Sequence, residues 1–180
     1  MTAAPARRAR SHPGRRAFVV DEMRQSHHAL VRLGVVMVAC WSGDGRLWSL
    51  SFQPGDGDVP DGPSLAWADT LSRWLEEYQS DPARPAPRLA LAFRGTPFQR
   101  RVWAALRAIP VGGVRRYGEL AERLGSSPRA VAAACRANPW VLYVPCHRVV
   151  AKHDAGGFMG ARHGWALALK RRLLEHEARS

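Results

Sequence analysis

At 180 residues and 46% hydrophobic content, the chain can bury one or two ordinary cores without metal or disulfide staples. No apolar run approaches the roughly 20 residues of a membrane span, and the arginines before Ala17-Phe18-Val19-Val20 are not followed by a secretory apolar segment, so a cytoplasmic, nucleoid-associated location is expected. The net charge of +12 is unevenly spread, with five basic and no acidic residues in 1–17, six and ten in 18–93, and sixteen and five in 94–180, which is the pattern of a protein whose second half meets a polyanion.

Residues 1–17 are Arg, Ala, Pro and Gly without periodicity and read as a disordered basic arm. Residues 33–53 read as a hairpin: LGVVMVACW, the turn SGDG, then RLWSLSF with strict alternation. Cys40 belongs to its first strand as a core residue, and the neighbours His27 and His28, with no partner at ligand spacing, read as solvated side chains and not as a metal site. After the loop at 54–63, Leu65, Ala68, Leu71, Trp74, Leu75 and Tyr78 fall at helical spacing, and the helix ends before Asp81-Pro82. The segment DPARPAPR, 81–88, has three prolines and marks the charge boundary, so it is the expected domain junction.

The second half opens on Thr96-Pro97-Phe98-Gln99, a capping box with Pro at the first helical position; Phe98, Val102, Leu106 and Ile109 follow on one face. Residues 117–124 and 128–137 are two short helices about a Gly-containing turn, the spacing of a helix-turn-helix. A last amphipathic helix is expected to carry Trp165, Leu169, Leu173 and Leu174 inward and Lys170, Arg171 and Arg172 outward or to a partner, with Glu177 closing it.

Between these helices lies VLYVPCHRVV, 141–150, which reads as a buried strand interrupted by Pro, Cys, His and Arg. Pro145 removes an amide donor and lifts Cys146 out of a regular ladder. Only a thiolate is a good nucleophile, and in a turn His147 can approach Cys146 through one water to make it. Three cysteines at wide spacings, Cys40, Cys135 and Cys146, fit neither a disulfide framework nor a zinc site, so reduced thiols are expected, with Cys135 as a packing residue.

The PCHRV core, together with RGTPFQRRVW (94–103), IPVGGVRRYGELA (109–121), PRAVAAACRANP (128–139) and KRRLLEHE (170–177), closely resembles the alkylguanine DNA alkyltransferases over roughly residues 33–177. The resemblance implies an α/β (α+β) protein: a small sheet-and-helix domain of ribonuclease-H-like shape at 18–88, and a winged helix-turn-helix-like domain at 89–180 that binds DNA and accepts the alkyl group. It implies a monomer that uses no cofactor or metal and acts once on double-stranded DNA, taking an alkyl group from the position-six oxygen of guanine, or the position-four oxygen of thymine, as a stable thioether.

Carried over residue by residue, Cys146 is the acceptor, His147 its base through water, Glu177 the group that orients the His, and Asn138 the tie between helix-turn-helix and acceptor turn. Tyr117 crowds the backbone phosphate to promote rotation of the nucleotide, and Arg129 fills the vacated stack, since a stacked base cannot be presented to a buried thiol. Arg116 and Arg136 complete the DNA-facing set, while Pro145, Val149, Phe158 and Met159 wall the substrate pocket.

The chain departs from the family at the lid, where Gly156-Gly157-Phe158-Met159-Gly160 replaces a pattern with Tyr and a small residue, and a longer spacer precedes Lys170. Phe158 keeps an aromatic face without the hydroxyl, and Met159 narrows the pocket. Three other readings compete: a non-catalytic lesion binder, against which Cys146 argues; a helix-turn-helix regulator, which leaves His147 and Glu177 without a role; and a cysteine hydrolase, which lacks an oxyanion-hole signature and leaves the basic half unexplained.

Overall fold

The alternating run predicted as a hairpin forms two strands of a three-stranded antiparallel sheet, β1 (Arg24–Leu30), β2 (Val35–Trp41) and β3 (Leu47–Pro54), in that spatial order. The computed structural model describes residues 23–55, 66–92 and 94–179; the basic arm, Leu65 and residues 56–63 of the loop lie outside the described residues. Register runs from Val35↔Pro54 to Trp41↔Leu47, with a bulge at Cys40/Trp41.

Strand β1 has no counterpart among the predicted elements. Its sequence shows no apolar alternation because two inward positions are filled by Ser26 and His28. His28 is therefore not the solvated side chain expected. Its Nε2 lies 2.9 Å from Ser26 Oγ and its Nδ1 2.9 Å from Ser72 Oγ. Ser72 Oγ donates to Ala68 O and Ser26 Oγ accepts from Trp41 Nε1, so a neutral imidazole protonated at Nδ1 satisfies every group. Burial, assisted by the charge of His27, pushes its pKa down to about 4.

Helix α1 (Ala66–Ser80) packs against β1 and buries Ala68, Leu71, Trp74, Leu75 and Tyr78, as its spacing predicts. Residues 81–90 then run without helix or strand to the outer edge of β3. There Leu47 N donates to Ala90 O and Ala92 N to Leu47 O. The same edge is covered further along by residues 139–141: Leu50 N donates to Pro139 O at 2.7 Å and Val141 N to Leu50 O at 3.0 Å. Trp140 seals the seam, its Nε1 donating to Leu47 O and its ring meeting Trp103 edge-on at 5.4 Å. Buried side chains of both halves thus form one continuous core.

The second half comprises α2 (Pro97–Arg107), β4 (Arg115–Arg116), α3 (Tyr117–Leu124), α4 (Pro128–Arg136), β5 (Val149–Val150) and α5 (Trp165–Glu177). The capping box is present in full: Gln99 N donates to Thr96 Oγ1, and Thr96 N to Gln99 Oε1. The α3–α4 pair forms as the helix-turn-helix spacing predicts, with Ser127 capping α4 through Ala130 N.

The VLYVPCHRVV run is not a strand. Residues 141–144 make a tight turn in which Val144 N donates to Trp140 O at 2.8 Å, Cys146–Arg148 form one 3₁₀ turn, and only Val149–Val150 pair, in parallel, with β4. Every residue from 141 to 149 is nevertheless buried, so the apolar flanks reflect burial of a turn and not a ladder. Helix α5 also differs from expectation: Trp165 is 41% exposed and Lys170 fully buried. The buried positions are Ala166, Leu169, Lys170, Leu173 and Glu177, a single stripe by phase, whose two charged members residue type alone assigns to solvent. Among the described residues no helix is long and apolar enough to cross a membrane.

His28 supplies a test of this packing. Its folded pKa lies below its unfolded value, so the unfolded chain binds the extra proton first, and stability is lost as pH falls from about 6.5 to about 4. Urea unfolding across that window is expected to show His28→Asn losing up to about 3 kcal/mol less than the unsubstituted chain.

Candidate active site

Helix α4 opens on Pro128 after the cap Ser127, and its last turn leads through Ala137 into Asn138. Asn138 is buried and fully used: Nδ2 donates to Val144 O at 2.8 Å and to Cys146 Sγ at 3.3 Å, while Oδ1 accepts from Trp140 N. It thereby joins the helix-turn-helix, the β3 seam and the turn that carries Cys146, the tie that the family resemblance implies. Cys146 opens the 3₁₀ turn with 5% of its surface exposed. Burial pushes its thiol pKa up; the Asn138 donor and the nearby Lys170 ammonium oppose that rise.

His147 and Glu177 are buried and meet directly, His147 Nε2 lying 2.9 Å from Glu177 Oε1. A carboxylate only accepts, so Nε2 carries the proton and Nδ1, buried and without a protein partner, is the free base. Burial lowers the His147 pKa against the pull of Glu177. Arg148 directs its donors elsewhere than to the thiol. Its Nε donates to Glu177 Oε2 at 2.7 Å, Nη2 to Oε1 at 2.8 Å and Nη1 to Ile109 O at 2.7 Å. A fourth donor arrives from α1, the Tyr78 hydroxyl, at 2.8 Å from Oε1. Burial alone would raise the Glu177 pKa, but the bonds from His147 and Arg148 outweigh it and hold the carboxyl far below its usual range. Gly112, at φ 72, lets its loop pass the Glu177 carbonyl where a Cβ would stand 3.1 Å away.

Lys170 and Tyr78 reach this cluster as well, and sequence reasoning did not place either of them there. Lys170 Nζ donates to Val149 O at 2.6 Å and Gly157 O at 3.0 Å, and burial lowers its pKa to about 8. The signal for it was the phase of the α5 stripe.

Cys146 lines a cavity of about 280 Å³ together with Tyr117, Arg136, Phe158, Met159 and Arg162. Phe158 and Ala161 exchange two 2.9 Å hydrogen bonds around Met159 and Gly160, both with positive φ (50° and 83°), so the lid is a tight two-residue hairpin in which Met159 holds a conformation unusual for its type. Phe158 is buried, 6.5 Å from the Phe52 ring. A second cavity of about 260 Å³ reaches Cys146 from the sheet side, past Met159, Ser49 and Ser51. Pro145 and Val149 do not wall the first cavity: Pro145 faces a cleft beneath the 82–86 linker, and Val149 is fully buried. Cys135 packs between the two cavities, its thiol pushed up to about 12 by burial.

Tyr117, at the start of α3, is half-buried beside Lys170. Arg116, Arg129 and Arg136 are exposed, Arg129 in the first turn of α4 and Arg136 at the cavity rim. Among the described residues no group of three His, Cys, Asp or Glu side chains gathers as a metal site requires.

Comparison with known proteins sets this geometry in a family. Residues 97–179 match the model of the 6-O-methylguanine DNA methyltransferase DNA binding domain. The chain is 45% identical over 111 residues to a methylated-DNA–protein-cysteine methyltransferase of Salmonella typhimurium, covering 59% of this chain and 61% of that one. It therefore spans only about three fifths of the length of that relative. To the Archaeoglobus fulgidus protein of the same name it is 38% identical over 117 residues, covering 64% of this chain and 79% of the relative. The fold superposes on Mycobacterium tuberculosis OGT solved in complex with DNA with a TM-score of 0.66 and 27% identity, covering 85% of this chain and 92% of that one. The chain belongs to the 6-O-methylguanine DNA methyltransferase family.

Proposed function

We propose that the protein repairs double-stranded DNA by taking an alkyl group from the position-six oxygen of guanine onto Cys146, once per molecule. The observation that carries this reading is a thiol at the wall of a 280 Å³ cavity with Asn138 on one side, Lys170 nearby and a His–Glu pair next in the chain.

The chemistry is a displacement at the alkyl carbon. Cys146 gives its proton through a water to His147 Nδ1, whose resulting positive charge is met by Glu177 across Nε2. The thiolate forms a C–S bond as the C–O bond breaks; the electron pair leaves on guanine, which takes up a proton to become the ordinary base. Lys170 favours the thiolate by its charge, fixed in place by two backbone carbonyls. The thioether has no good leaving group, so the product is final.

A duplex must yield its nucleotide to this site, because 5% exposure leaves Cys146 beyond the reach of a stacked base. Arg129 occupies the exposed leading turn of α4, suited to fill the vacated stack, and Tyr117 at the cavity mouth crowds the backbone. Arg116 and Arg136 add phosphate contacts on the half that carries sixteen basic and five acidic residues.

Two measurements test this reading. Intact mass analysis after mixing with a duplex carrying one methylated guanine is expected to show a gain of one methyl, about 14 Da, on Cys146 and none in Cys146→Ala; tight lesion binding without an adduct would replace the enzyme with a binder. Arg129→Ala is expected to slow transfer from duplex by about tenfold or more while leaving the free alkylated base within about twofold, as loss of stack filling alone requires. Equal slowing on both substrates would remove Arg129 from that role.

A further inference from the structure

The Tyr78 hydroxyl is a donor that the reading above does not use. It comes from α1, in the half of the chain away from the DNA-facing helices, yet it ends 2.8 Å from Glu177 Oε1, the same oxygen that pairs with His147. We propose that Tyr78 is a positioning residue that sets the basicity of His147 by taking a share of the Glu177 carboxylate, so that the sheet-and-helix half tunes the proton acceptor of the other half. The proposal rests on the reading of His147 as the base.

The geometry leaves the direction of the bond in no doubt, since the carboxylate can only accept. Burial and the neighbouring Glu177 charge push the Tyr78 pKa well above its ordinary value, so the phenol keeps its proton at any working pH. Oε1 then accepts from three donors, Tyr78 Oη, His147 Nε2 and Arg148 Nη2. An oxygen that serves three donors binds each less strongly, and the imidazolium form of His147 has most to lose, because its charge depends on that oxygen. Tyr78 thus keeps His147 neutral at rest and ready to accept. Its own position is fixed by a ring contact with Trp74 at 5.9 Å, an edge contact with His176 at 5.3 Å, and a bond from His176 Nε2 to its carbonyl at 2.8 Å.

The other groups around the pair are accounted for. From α5, Glu177 faces His147 directly and Lys170 lowers its pKa; from the acceptor turn, Arg148 does the same. From α2, Arg107 is stacked on Tyr143 at 4.9 Å instead. Of these groups, Arg148 also acts on the Tyr78 phenol by its charge, opposing the rise that burial and Glu177 cause.

Tyr78→Phe removes the oxygen and keeps the ring and its contacts. In the full chain labelled with ¹⁵N-histidine, the titration midpoint of His147, followed by NMR without any substrate, is expected to move up by about 0.5 to 1 pH unit. The acid limb of methyl transfer to Cys146 is expected to move with it, while a merely structural tyrosine would lower the melting temperature and leave both midpoints in place. An unchanged or lowered His147 midpoint in the folded variant overturns the proposal. If Tyr78→Phe fails to fold, 3-fluorotyrosine at position 78, a stronger donor of the same shape, must lower the midpoint; no fall there overturns it equally. A His147 midpoint that rises while the acid limb stays put upholds the role of Tyr78 and removes His147 as the base.

Discussion

The rest of the structure depends on one buried carboxylate. Glu177 is 1% exposed and its two oxygens accept from His147, Arg148 twice, and Tyr78. A lone ionised carboxylate at this depth would be expelled or protonated; paired with a bidentate guanidinium and two further donors it is held ionised. Removing one partner of such a pair leaves a buried charge behind, at a typical cost of about 3 to 5 kcal/mol. Through those bonds the last residue of α5 fixes the Cys146–Arg148 turn, α1 and, by Arg148 Nη1, the chain just beyond α2.

The charge arrangement offsets part of the cost of ionising a thiol so well buried. Arg148 directs its donors to Glu177 and the Ile109 carbonyl and so anchors the turn. That offset comes from Asn138 and Lys170, each of which has its polar atoms fixed by backbone partners before any substrate arrives. Such preorganised donors lose nothing in reorientation when charge develops, which makes them effective in a dry site. Glu177, for its part, pairs with His147, the neighbour of Cys146 in the chain.

The parts of this design visible in the sequence are those written in local pattern. The capping box at Thr96, the period of α1, the two short helices about Gly125 and the juxtaposition of Cys146 with His147 each depend on near neighbours. What local pattern could not show depends on tertiary context. Strand β1 hides because Ser26 and His28 satisfy each other and Ser72 across the core, so polar residues take apolar positions. The VLYVPCHRVV run looks like a strand because a buried turn needs the same apolar flanks. Lys170 looks like a surface residue by type and is a core residue by phase, and Pro145 and Val149 adjoin the thiol in sequence while facing away from its cavity. Tyr78 lies 99 positions from its partner, and no sequence spacing marks that bond.

The proposed reaction consumes its own site, because a thioether on Cys146 has no good leaving group. Counting methyl groups transferred from a large excess of methylguanine duplex tests this most directly. The account predicts a plateau at one methyl per chain, all on Cys146, with fresh substrate adding none; a count that climbs past one, or methyl lost to water and the thiol regained, would contradict it.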